Sequence, residues 1–173
     1  FVDGEEVENI CVPVGFRDFT IKNGVFLVNG QPVKCHGVNH HDTTPDRGCA
    51  MSLQDYETDF SLMKSLNIDT IRFSHYPPAP EALELCDRLG FYVIDEADLE
   101  CHGALFMEET LDCFSKDPQY EKEFLDRIQR LYQRDKYHAS VMLWSLGNES
   151  GFGENHKAAA AYLKLQNPDL LIH

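Results

Sequence analysis

Basic side chains are scarce in this 173-residue sequence: 15 lysines and arginines stand against 29 carboxylates, a net charge of −14. A surface so acidic repels phosphate backbones and anionic headgroups, which argues against nucleic acid or a membrane surface as partners. No apolar run approaches the length of a bilayer span, and no basic-then-apolar leader is present. The six cysteines (Cys11, Cys35, Cys49, Cys86, Cys101, Cys113) include no Cys-x-x-Cys pair, so no zinc ribbon or redox motif is indicated. Cys35 and Cys86 lie within apolar patterns and read as small hydrophobes; reduced thiols in a cytoplasmic protein are the expectation. A P-loop and a His-Glu-x-x-His zinc motif are missing as well. "GNESG" puts Ser150 out of register for a nucleophile elbow, and "GFGENH" is not a dinucleotide-binding fingerprint.

What is present is the composition of one folded domain, 43% hydrophobic and 25% charged. Residues 1–14, polar and acidic, read as a linker from a preceding domain. "FTIKNGVFLVNGQPV" sets two short β-rich runs around Asn23-Gly24, the signature of a β-hairpin. From there the pattern alternates. Runs at 33–41, 69–75, 91–100 and 141–149 read as strands, and "LLIH" begins a fifth. Helices are predicted at 52–67, capped by Ser52 with Asp55 three residues on, and at 80–90, 118–136 and 154–168. Such alternation means a parallel sheet with crossover helices: an open doubly wound sheet, or part of a (β/α)8 barrel occupying 15–173.

In both architectures chemistry sits at the C-terminal ends of the strands. Those ends supply Asn39, His40, His41, Arg72, His75, Asp95, Glu96, Asp98, Glu100, His102, Asn148 and Glu149. The set suits a polyhydroxylated neutral ligand; alternatively Glu100, His102 and Glu149 offer hard and borderline ligands to a divalent cation. Bland readings stand beside these. His75 in "SHYPP" is equally consistent with a strand cap, and Arg72 reads better as an ion-pair partner of Asp95 or Glu96 than as a substrate contact. Asp87, Arg88 and the charges of "DRIQRLYQRDK" read as solvated helix faces.

Three stretches, "NGQPVKCHGVNHHD", "IRFSHYPPAPEALELCDRLGFYVIDEADLECHG" and "RDKYHASVMLWSLGNESGFG", resemble in order the catalytic barrel of glycoside hydrolase family 2, in its large bacterial β-galactosidase branch. The resemblance implies a (β/α)8 barrel of which this chain holds about the first five strands. It implies retaining hydrolysis of terminal β-galactosides, with Glu149 as general acid/base and Asn148, His75 and His41 on the sugar. It also implies a magnesium ion on Glu100, His102 and Glu149, and a sodium ion whose ligands lie mostly outside this chain. The nucleophilic glutamate is expected beyond His173, on the rest of the barrel, so the chain alone is expected to be silent. The full-length enzyme is expected to be a homo-oligomer. Other family 2 activities, of the β-glucuronidase or β-mannosidase kind, and a non-catalytic carbohydrate-binding fragment are the alternatives. His40 and Ala139 stand where family members often have Arg and Pro, positions expected to be peripheral. An acid beside apolar Trp144 and Leu146 is expected to hold its proton better, with a nearby cation pulling the other way.

Overall fold

A computed structural model of the chain describes residues 2–108 and 110–173; Phe1, in the segment read as a linker, lies outside them. Residues 2–14 are exposed throughout and form only a bridged turn between Val2 and Glu5. The expected hairpin gains a third strand: β1 (Phe19–Lys22), β2 (Val25–Val28) and β3 (Gln31–Pro32) pair antiparallel in sequence order. The second Asn-Gly, Asn29-Gly30, makes the extra turn.

The rest alternates as the sequence predicts. β4 (Gly37–His40) leads to α1 (Leu53–Ser65), then β5 (Thr70–Phe73), α2 (Pro80–Leu89) and β6 (Tyr92–Glu96). Two short helices, α3 (Leu105–Glu108) and α4 (Cys113–Lys116), fill a long connection to α5 (Glu121–Asp135). β7 (Val141–Ser145) and α6 (Glu154–Gln166) follow. α1 starts where expected, with the Asp55 carboxylate accepting from the Ser52 backbone N–H (2.7 Å) and hydroxyl (2.6 Å). α2 stops at Gly90, whose φ of 69° is the left-handed conformation that a side chain disfavours.

Sheet order decides between the two architectures. The four strands pair parallel in the order β4-β5-β6-β7. A doubly wound sheet reverses direction at a switch point, whereas a (β/α)8 barrel adds each strand beside the last. The observed order is sequential, so the fold is an incomplete barrel. Its next strand has begun: the Trp144 N–H bonds the Leu171 carbonyl (3.0 Å) and the His173 N–H bonds that of Trp144 (2.9 Å). Phe60, Ile71, Phe73, Leu83, Val93, Ile128, Trp144 and Leu163 form the core between sheet and helices. Burying one such side chain contributes on the order of 2 kcal/mol, so this layer is what holds the strand ends in place.

Two charge readings are corrected here. Asp87 is not a solvated helix charge: its carboxylate accepts from the Ser140 backbone N–H (2.7 Å) and pairs with His138 Nδ1 (2.7 Å), fixing the start of β7. Burial alone would raise its pKa, but these hydrogen bonds and the His138 charge bring it below the ordinary value. Asp135, near the end of α5, is 1% exposed and takes both forks of Arg134 (2.6 and 2.7 Å). A helix end that dips into the core carries such charges inward, and periodicity does not report it.

Candidate active site

Side chains alternate across a strand, so each strand end offers one residue to the barrel interior and the next to the helices. Asn39, Arg72, Glu96 and Ser145 point inward and meet one another. Their neighbours face the other way. His40 meets Asp59 and Phe60 of α1, Asp95 lies against Asp135 of α5, and the Trp144 ring packs 5.2 Å from Tyr132. Three expectations change accordingly. Asp95 does not join the strand-end set; buried completely beside another carboxyl, its pKa is pushed well above the ordinary value by desolvation and by the Asp135 charge. His40 leaves the set for the helical layer and is buried rather than peripheral. Trp144 gives no apolar cover to Glu149, whose side chain is 52% exposed.

Glu96 is the hub. Its side chain is wholly buried, yet its carboxylate accepts four hydrogen bonds. Oε2 takes Arg72 Nε (2.7 Å) and the Ser145 hydroxyl (2.6 Å); Oε1 takes Arg72 Nη2 (2.9 Å) and His75 Nδ1 (2.7 Å). A bidentate arginine and two further donors compensate the desolvation that would otherwise penalise a buried charge. Because the carboxylate only accepts, His75 must carry its proton on Nδ1. Its 3.3 Å approach to Arg72 Nη2 is then a contact between donors, not a hydrogen bond. The expected ion pair of Arg72 is thus made with Glu96 and not with Asp95.

From the hub the network runs outward. Arg72 Nη2 also donates to Asn148 Oδ1 (3.0 Å), which leaves the Asn148 amide to donate to Glu100 Oε2 (2.7 Å). That segment lies tight against the end of β6: the Asn148 N–H bonds the Leu99 carbonyl (2.8 Å). Gly147 makes the approach possible. Its φ is 132°, and a Cβ there would sit 2.6 Å from the Leu99 oxygen. Glu149 follows with φ 33°, a left-handed conformation that costs a non-glycine residue on the order of 1 kcal/mol. Its carboxylate meets His102 Nδ1, and the His102 ring stacks on Phe106 with centroids 5.9 Å apart. On the opposite side the rings of His41 and His75 meet edge to face at 5.2 Å, with the Ser74 hydroxyl 3.4 Å from His41 Nε2.

Glu100, His102 and Glu149 each offer one ligand atom, and these atoms lie within 4.8 Å of one another on an exposed surface. Two carboxylates and an imidazole, open to water for the remaining positions, fit a hard divalent cation of the magnesium kind. The structure thus places every residue expected at the site (His41, His75, Glu100, His102, Asn148, Glu149) at one end of the sheet. Sequence reasoning missed three features. Ser145 as a donor to Glu96 had no signal, since β7 is buried on both faces and its pattern does not alternate. The buried Ser150–His156 pair (3.1 Å) behind Glu149, and Phe106 on His102, had none.

Residues 19–173 match the family model described as glycosyl hydrolases family 2, TIM barrel domain. A β-galactosidase of Actinobacillus pleuropneumoniae is 41% identical over 192 residues, covering 96% of this chain and 19% of that protein. A β-galactosidase of Pectobacterium atrosepticum is 40% identical over 171 residues, covering 99% and 16%. Among solved structures, a β-D-glucuronidase of Dictyoglomus thermophilum superposes with a TM-score of 0.80 at 26% identity, over 92% of this chain and 28% of that one. A β-glucuronidase of Ruminococcus gnavus gives 0.77 at 26% identity, over 88% and 27%. The chain spans 19% and 16% of the length of these two curated relatives.

Proposed function

The chain belongs to the glycosyl hydrolases family 2, TIM barrel domain, and from that membership we propose that the full-length polypeptide is a retaining β-galactosidase. One observation supports this most: Asn148, Glu149 and the Glu96–Arg72–His75 hub share one end of the sheet, where a neutral sugar would find amide, carboxyl and imidazole groups. In this reading Glu149, half-exposed, delivers a proton to the leaving oxygen and then takes one from water. A second carboxylate roughly 5 Å away would attack the anomeric carbon; in this reading another strand of the barrel supplies it. Arg72 turns the Asn148 amide so that its N–H groups serve Glu100 and the sugar 2-hydroxyl. His41 and His75 bracket the ring.

Glu100, His102 and Glu149 would hold a magnesium ion, whose charge would help to orient the sugar. The expected result for His102→Ala in the full-length enzyme is a rise of about tenfold or more in the magnesium concentration giving half-maximal activity, within the usual cost of losing a ligand or its support. An unchanged requirement would remove His102 from the ligand set. Sodium, if used, draws most of its ligands from elsewhere in the polypeptide, as does any homo-oligomer contact.

A second reading, hydrolysis of β-glucuronides, is favoured by the solved relatives, which are β-glucuronidases. A uronate carboxylate wants a cation, but Arg72 is already committed to Glu96. Nitrophenyl β-galactoside should therefore be turned over with a kcat/KM at least about a hundredfold above that for the glucuronide, a margin that polar recognition readily supplies. The reverse ranking would establish the glucuronidase reading instead.

A further inference from the structure

We propose that His40 is a positioning residue for this site: clamped between Asp42 and Asp59, it fixes the end of β4 on α1 and thereby the His41–His75 pair. The inference rests on the function proposed above only for what His41 and His75 do with the sugar. His40 is 7% exposed. Its Nε2 lies 3.0 Å from Asp59 Oδ2 on α1, and its Nδ1 lies 3.5 Å from Asp42 Oδ1 in the turn after β4. Nδ1 and that Asp42 oxygen are both buried and neither makes a hydrogen bond, so their approach is an ion-pair contact. Carboxylates only accept, and a neutral imidazole has one N–H, so only the imidazolium turns a donor and a charge toward both carboxylates.

The groups facing the ring are few. α1 contributes Asp59, Tyr56 and Phe60; β5 contributes Phe73; the turn after β4 contributes Asp42. Tyr56 donates to the second Asp42 oxygen (2.6 Å), and the Tyr76 hydroxyl, from the loop after β5, accepts the Asp42 N–H (3.1 Å). Among the described residues this cluster holds two carboxylates and no cation but His40. Burial alone would lower the imidazole pKa, but the hydrogen bonds and charges of Asp42 and Asp59 outweigh it and raise it above the ordinary value. A raised histidine pKa stabilises fully below the unfolded value, about 6.5, and that contribution disappears as pH rises through the folded value.

The clamp connects to the site through the backbone. The His40 carbonyl accepts the Ser74 N–H (3.0 Å) and hydroxyl (3.3 Å), and that hydroxyl lies beside His41 Nε2. Deprotonation leaves two carboxylates facing one donor, freeing the turn from α1 and, with it, the histidine that follows in sequence. Because Arg keeps a cation with several donors at all working pH values, it separates charge from bulk.

The test compares wild type, His40→Arg and His40→Gln in the full-length protein between about pH 6 and pH 10, a range spanning imidazole titration. Hydrogen exchange of residues 37–42, corrected for intrinsic rates and referenced to α2, needs no substrate. In wild type, protection should fall about tenfold as pH rises; in His40→Arg it should stay flat; in His40→Gln it should be low throughout. KM for the best-cleaved galactoside should rise about tenfold over the same range in wild type only, in keeping with the cost of a displaced positioning group. Wild-type protection that does not change with pH, His40→Gln protection equal to wild type, or a KM drift that persists in His40→Arg would each overturn the clamp. If protection behaves as expected but no galactoside is cleaved, the clamp stands and the galactosidase reading falls.

Discussion

Glu149→Gln in the full-length enzyme is expected to lower kcat by about 10²–10⁴-fold on galactosides whose leaving group needs a proton, such as lactose, the range for losing a general acid. On a dinitrophenyl galactoside, whose aglycone departs unassisted, the first step should be nearly spared. The carboxamide is isosteric and keeps an acceptor for the cation site, so the change removes proton transfer more than shape. The geometry argues for this role over a merely structural one. Glu149 sits on left-handed backbone beyond a glycine that no other residue could replace without striking Leu99. Its carboxylate is half open to solvent, where a substrate and then a water can reach it. Steady-state kinetics across a leaving-group series checks the point. An equal loss on every substrate would assign Glu149 to the cation site or the scaffold, and no loss would favour a binding module.

Much of this site was legible because barrel chemistry gathers at strand ends, and strand ends can be read from alternating apolar runs. His41, His75, Glu100, His102, Asn148 and Glu149 are among the twelve residues that this reading collects, the family resemblance singles them out, and the structure places them at one end of the sheet. The direction of each side chain was not legible. A parallel strand is buried on both faces, so "FYVIDEADLE" carries no period-2 signal to send Glu96 inward and Asp95 outward. The same blindness put His40 with the site and Trp144 beside Glu149. Asp87 and Asp135 were read as solvated because helix periodicity reports the average face and not the residue where a helix end meets the core. Residues 101–117 have neither period, so the two short helices, of which α3 carries Phe106, left no trace in the pattern.

The second large effect is expected at the hub. Arg72→Met should destabilise the full-length protein by about 3–5 kcal/mol, the cost of stranding one partner of a buried ion pair. Glu96 would keep only His75 and Ser145 against a charge that is already fully buried in this part of the barrel. Glu96→Gln alone leaves the guanidinium unpaired and should also destabilise. The double variant Arg72→Met/Glu96→Gln removes both charges, so stability should return in large part, as buried pairs replaced together often allow. Activity should not return with it. Asn148 would still lack the donor that turns its amide, and a misplaced positioning group costs about 10²-fold in kcat/KM. Urea unfolding and kcat/KM on the same four proteins make the cycle. Recovery of both stability and activity in the double variant would make the hub a structural ion pair only. Recovery of stability alone makes it the device that couples the barrel interior to the sugar.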